Sequence, residues 1–113
     1  MMLALLLALA GSDAPAHPPV RAELCSAHIE AFIAEQANAT GMVAGPSWFI
    51  RDWWSARLPE DGAPDALSEE QRTALIAAMP GRKASDPVAF QAELGSCIDE
   101  AVAAGAVPGM GPG

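Results

Sequence analysis

The stretch Cys25-Ser-Ala-His28 is where this sequence comes closest to metal or thiol chemistry. A cysteine and a histidine three residues apart lie about one helical turn from each other, so both can reach one ion. Cys97 would add a third ligand, and Asp99 or Glu100 a carboxylate as the fourth. That set defines one expectation, a small metal or ligand carrier built on Cys25, His28 and Cys97. The competing expectation is a disulfide, because Cys25 and Cys97 are the only 2 cysteines in the chain. A cysteine–histidine nucleophile is disfavoured, since neither a basic cluster nor a helix N-terminus stands beside either cysteine to lower its pKa. Covalent haem attachment needs a second cysteine directly before the histidine, where this chain has Ala27.

Other catalytic patterns are missing from the sequence. It has no glycine-rich phosphate loop, no G-x-S-x-G and no H-E-x-x-H. Paired carboxylates occur at Glu60-Asp61, Glu69-Glu70 and Asp99-Glu100. The first pair falls in a loop, the second at a helix start and the third on a solvated helix face. His17 lies in a proline-rich segment, which leaves His28 alone for acid–base work. The expectation is a non-enzyme with no catalytic residue, no bound metal and no cofactor.

The second concentration of chemistry is aromatic. Pro46-Ser-Trp-Phe-Ile-Arg-Asp-Trp-Trp54 holds all 3 tryptophans and one of the 3 phenylalanines, in a chain without tyrosine. At 100° per residue, Phe49, Ile50, Trp53, Trp54 and Ala56 cover a wide apolar arc, with Leu58 extending it and Arg51, Asp52 and Ser55 opposite. An arc that wide suits a helix packed on two or three sides, with Trp53 and Trp54 filling a core that alanine-rich neighbours cannot fill. Trp48 falls outside the arc and is expected at the surface. The alternative is a partner-binding face of Trp48, Arg51, Trp53 and Arg57, because tryptophan and arginine are enriched at binding hot spots. Arg57 is expected either to stack on the Trp53 indole or to pair with Asp61.

Composition narrows the partners. A net charge of −8 over 113 residues disfavours nucleic acid and anionic lipid surfaces, both of which require a lysine and arginine surplus. The first ten residues, MMLALLLALA, form an apolar run too short to span a bilayer. They fit the hydrophobic part of a signal peptide, with small-x-small cleavage patterns at Ala8–Ala10 and Ala14–Ala16. The basic residues that normally precede such a run are absent, since the first is Arg21, and are expected upstream of the doubled methionine. The chain is therefore expected in the periplasm or outside a bacterial cell, without a membrane anchor after cleavage. In that oxidising compartment a Cys25–Cys97 disulfide is the default.

The elements that must position these residues read as helices. Segment 1–16 is expected as signal peptide and cleavage region, 17–20 as spacer, 21–105 as one helical domain and 106–113 as a flexible tail. The first helix runs from about Val20 to Thr40, with Ala22, Cys25, Ile29, Phe32, Ile33 and Gln36 on one face and Glu23, Glu30 and Glu35 elsewhere. Gly41 is expected to cap it. A second helix runs from Pro46 to about Leu58. Ser68 and Gln71 predict a capping box opening a third helix, which Pro80-Gly81 is expected to end. Asp86-Pro87 open a fourth, carrying Phe90, Leu94, Cys97, Ile98 and Ala101 to Gly105. Both cysteines fall on apolar faces, so the predicted fold is all-α, a small four-helix bundle whose one disulfide joins the first and last helices.

Three functional expectations follow. The first is an exported non-catalytic protein-binding factor that uses the aromatic helix. The second is a periplasmic stress chaperone or holdase that loosens at low pH as carboxylates protonate. The third is the carrier described above.

Overall fold

The computed structural model describes residues 17–110. It contains four helices, α1 (Arg21–Thr40), α2 (Gly45–Ser55), α3 (Glu69–Ser85) and α4 (Pro87–Ala103), and no strand among the described residues. The expected signal segment 1–16 and the last residues of the expected tail, 111–113, lie outside the described residues. No helix among the described residues is long and apolar enough to cross a membrane.

The caps form where short-range chemistry calls for them. Gly41 ends α1 at φ 74, and its N–H donates to the Ala37 carbonyl at 2.8 Å. The Ser68 hydroxyl accepts from the Gln71 N–H at 3.1 Å, while the Gln71 side chain accepts from the Ser68 N–H at 2.9 Å, closing the capping box of α3. Asp86 serves two helices: its N–H donates to Arg82 at the end of α3, and its carboxylate accepts from the Ala89 N–H at the start of α4.

Pro80 and Gly81 do not end α3, contrary to expectation; the helix continues to Ser85. Proline removes one backbone hydrogen bond but its fixed φ is helical. The extra turn is held from outside, by Lys83 pairing with Glu35 of α1 at 3.2 Å and Arg82 with Glu93 of α4 at 3.1 Å. α2 is shorter than expected, ending at Ser55.

α1 is the hub and packs against all three other helices, whereas α2 packs on α1 and α4 only. The core joins Cys25, Ile29 and Ile33 of α1 with Ile50 and Trp54 of α2 and Leu94, Cys97 and Ala101 of α4. At its centre Cys25 and Cys97 are disulfide-bonded, with Cα atoms 5.4 Å apart. α3 contributes one fully buried apolar residue, Met79.

After α4 the chain turns back onto the bundle within the segment expected as the tail. Gly105 adopts φ 85, its N–H donates to Val102, and the Ala106 N–H reaches back to Ala101 at 3.0 Å. This pair of bonds turns the chain onto the bundle and buries Val107 in the core. Residues 17–20 are likewise tied down. The two ring nitrogens of His17 face the carbonyls of Pro18 and Pro64, at 3.0 and 2.9 Å. Only the protonated ring can donate to both, and those two bonds hold its pKa above the ordinary 6.5.

Glu23 departs furthest from expectation. It was expected off the core face, yet it is 1% exposed. Arg72 donates to its two carboxylate oxygens at 2.8 Å each, and the Leu67 N–H donates at 2.9 Å. Burial pushes the Glu23 pKa up, but the bonds from Arg72 and Leu67 outweigh it and leave the pKa below its ordinary value. This contact fixes the 56–68 loop and the first turn of α3 to α1. The Arg72 pKa rises in turn, chiefly through its hydrogen bonds to Glu23.

Candidate functional site

Helix α2 begins at Gly45 with Pro46 in its first turn. The Ser47 hydroxyl donates to the Gln36 side chain of α1 at 3.1 Å. Ser47, Ile50 and Trp54, spaced i, i+3, i+7, form the buried stripe. That stripe is much narrower than the sequence arc. The reason is the position of α2 at the edge of the bundle, where two neighbouring helices cover it rather than three.

Three consequences follow for the predicted residues. Trp54 is core, and its indole N–H donates to the Cys97 carbonyl at 3.0 Å. Trp53 is half-buried, meeting Trp54 edge-on with ring centroids 4.8 Å apart. Trp48 is exposed, as its place outside the arc required, and Phe49 beside it is exposed too, at 41% and 47%. Phe49 had been assigned to the apolar arc, and the structure corrects that assignment. Ala56 is likewise exposed rather than packed.

The arginines stiffen this edge. Arg51 lies over the Trp48 ring at 4.8 Å and donates twice to Asp52. Arg57 lies 3.5 Å from the Trp53 ring centroid and donates to the Trp53 carbonyl at 2.7 Å, closing the C-terminal turn of α2. Of the two partners open to Arg57, the indole is the one it takes; Asp61 pairs with Arg72 instead. Exposed cation–π contacts of this kind contribute about 0.5–1 kcal/mol each. The result is an edge of large, pre-ordered side chains, with Trp48 and Phe49 outward and the two arginines holding indole rings in place.

The Cys25, His28 and Cys97 grouping is brought together only in part. Both sulfurs are consumed in the disulfide, so neither offers a thiolate to a metal. Among the described residues, no group of three or more His, Cys, Asp or Glu could hold a metal ion. His28 is fully buried and its Nε2 lies 2.5 Å from a Glu93 carboxylate oxygen. The sequence left the partner of His28 open, and residues 65 positions apart carry no local signal that would have paired them.

Compared with known proteins, the chain matches no family model, no curated protein and no solved structure.

Proposed function

We propose that this chain is an exported, non-catalytic binding protein that holds another protein on the outer edge of α2. The observation that carries this reading is the pair Trp48 and Phe49, adjacent large aromatics that are both about half exposed. Isolated exposed apolar residues are ordinary, but a tryptophan next to a phenylalanine on a rigid helix is the composition of a binding hot spot. Arg51 and Trp53 extend the face, and the contact between Arg51 and Trp48 limits the side-chain entropy lost on binding. Export is supported by the apolar N-terminal run and by the disulfide. The non-catalytic part is supported by the lack of any nucleophile–base pattern in the sequence.

The test is a photo-crosslinking residue placed at Trp48 in the producing cell. A discrete adduct with another protein is expected there, and none from the same residue at exposed Ala104. Equal labelling at both positions, or none at Trp48, would remove the reading.

One observation favours a second reading, an acid-activated holdase. Glu23 locks the 56–68 loop and α3 to α1 through a single buried carboxylate. Protonating it would release both at once. An apolar-surface dye that binds the protein below pH 4 but not at pH 7, with helix content retained, is the expected signature.

A further inference from the structure

A cleft of about 310 Å³ lies between α1, α3 and α4, and α2 contributes nothing to its lining. Half-buried Phe32, Ile76 and Phe90 wall it over a buried floor of Met79 and Leu94. It stays open because Ala31, Ala34 and Ala77 line it with side chains too small to fill it. Ala31, Glu35 and Asn38 follow at i, i+4 and i+7 on α1, so the lining runs about 10 Å along that helix. The space is a slot rather than a round hole. Its volume is in the small-molecule range, and it is too small for a protein interface, which takes about 800 Å² from each partner.

The mouth of the slot is polar. Glu35, Asn38 and Gln91 are exposed there, and Lys83 of α3 donates to both carboxylate oxygens of Glu35, at 3.2 and 3.3 Å. That pair bridges α1 and α3, with Asn38 almost one turn further along α1. The carboxylate and the ammonium of the rim thus answer each other, and the chain as a whole carries a net charge of −8. An anionic head group would meet Glu35 and a cationic one Lys83. A hydroxyl meets neither objection: it accepts from Lys83 or the Asn38 amide and donates to Glu35. His28, at the back of the lining, is fully buried beside Phe90 and presents no polar atom to the cleft.

We propose that this cleft is a second binding site, separate from the α2 edge, which holds one molecule of a neutral single-chain amphiphile. The hydrocarbon chain lies along the slot between Phe32, Ile76 and Phe90, and a hydroxyl-bearing head stays at the mouth with Glu35, Asn38 and Lys83. The slot's length limits the chain to roughly eight to ten carbons. Apolar burial supplies the affinity, and the self-neutralised rim selects against charged heads.

The test titrates the oxidised, folded protein with 1-hexanol, 1-octanol, 1-decanol, 1-dodecanol and decanoate by calorimetry at pH 7. One-to-one binding is expected, tightening about fourfold for each added methylene up to 1-decanol, with no further gain at 1-dodecanol. Decanoate should bind about tenfold more weakly than 1-decanol, because its carboxylate is brought beside Glu35. Glu35→Gln, which frees Lys83, should close most of that gap. Ala31→Phe fills the slot and should abolish binding. Ala77→Phe, at an exposed position that tolerates a larger side chain, should weaken binding at least tenfold and decides the matter if Ala31→Phe does not fold. Affinity independent of chain length, several molecules bound per chain, decanoate binding as tightly as 1-decanol, or binding that survives the filling variants would each overturn the proposal.

Discussion

The indole N–H of Trp54 donates to the backbone carbonyl of Cys97, at 3.0 Å, in the interior of the bundle. Because Cys97 is also bonded to Cys25, one turn of α4 is joined to α1 by a covalent bond and to α2 by a hydrogen bond. Trp54→Phe should keep most of the ring packing but lose that bond, costing about 1–2 kcal/mol. Trp54→Ala should cost about 3–5 kcal/mol through the cavity it leaves. Urea unfolding of the oxidised protein measures both. If the two variants lose the same amount, ring packing contributes nothing and the account of this core is wrong.

Removing the disulfide with Cys25→Ala and Cys97→Ala should lower stability by about 4 kcal/mol, since the bond closes a loop 72 residues apart in sequence. The secondary structure should persist, because the caps at Ser68, Asp86 and Gly105 do not depend on it. A loss below about 1 kcal/mol in urea unfolding would mean that the unfolded chain is already held compact.

Glu23 predicts a specific acid limb in the stability curve. Its folded pKa lies below the ordinary 4.5, so its contribution is fully present above pH 4.5 and is lost as pH falls through the lowered folded value. Glu23→Gln should flatten that limb and cost about 3 kcal/mol at pH 7, because Arg72 then stands beside a neutral group. Unfolding free energy measured between pH 2 and 7 in both proteins gives the comparison. An unchanged limb in Glu23→Gln would assign acid sensitivity to other carboxylates.

Helix ends were legible in the sequence because they are made by residues three or four apart. The Ser68–Gln71 box, Asp86-Pro87 and Gly41 all act as their types require. The cysteine pairing was legible because only one pairing exists. What escaped depends on distant partners. Glu23 falls off the apolar face of α1, and its burial depends on Arg72, 49 residues away. The arc on α2 reads as core or as a partner face, because a wheel shows which residues are apolar, but not how many neighbours cover them. Pro80 looked like a stop because the pairs holding the next turn, Lys83–Glu35 and Arg82–Glu93, come from other helices. In the candidate site, Trp48 was placed correctly and Phe49 was not, for the same reason of coverage.

The three tryptophans should report their places individually. In variants retaining one each, acrylamide should quench Trp48 strongly, Trp53 less and Trp54 least, with Trp54 emitting at the shortest wavelength. Quenching of Trp54 as efficient as that of Trp48 would contradict the packing of α2.

The proposal that this is an exported, disulfide-tied protein-binding chain is tested most directly by native mass spectrometry of the protein from its own cell envelope. The predicted result is a chain shortened at its N-terminus, lighter by the two hydrogens of a Cys25–Cys97 disulfide, and carrying a partner protein that a Trp48→Ala, Phe49→Ala variant releases. A full-length chain with free thiols and no partner would contradict it.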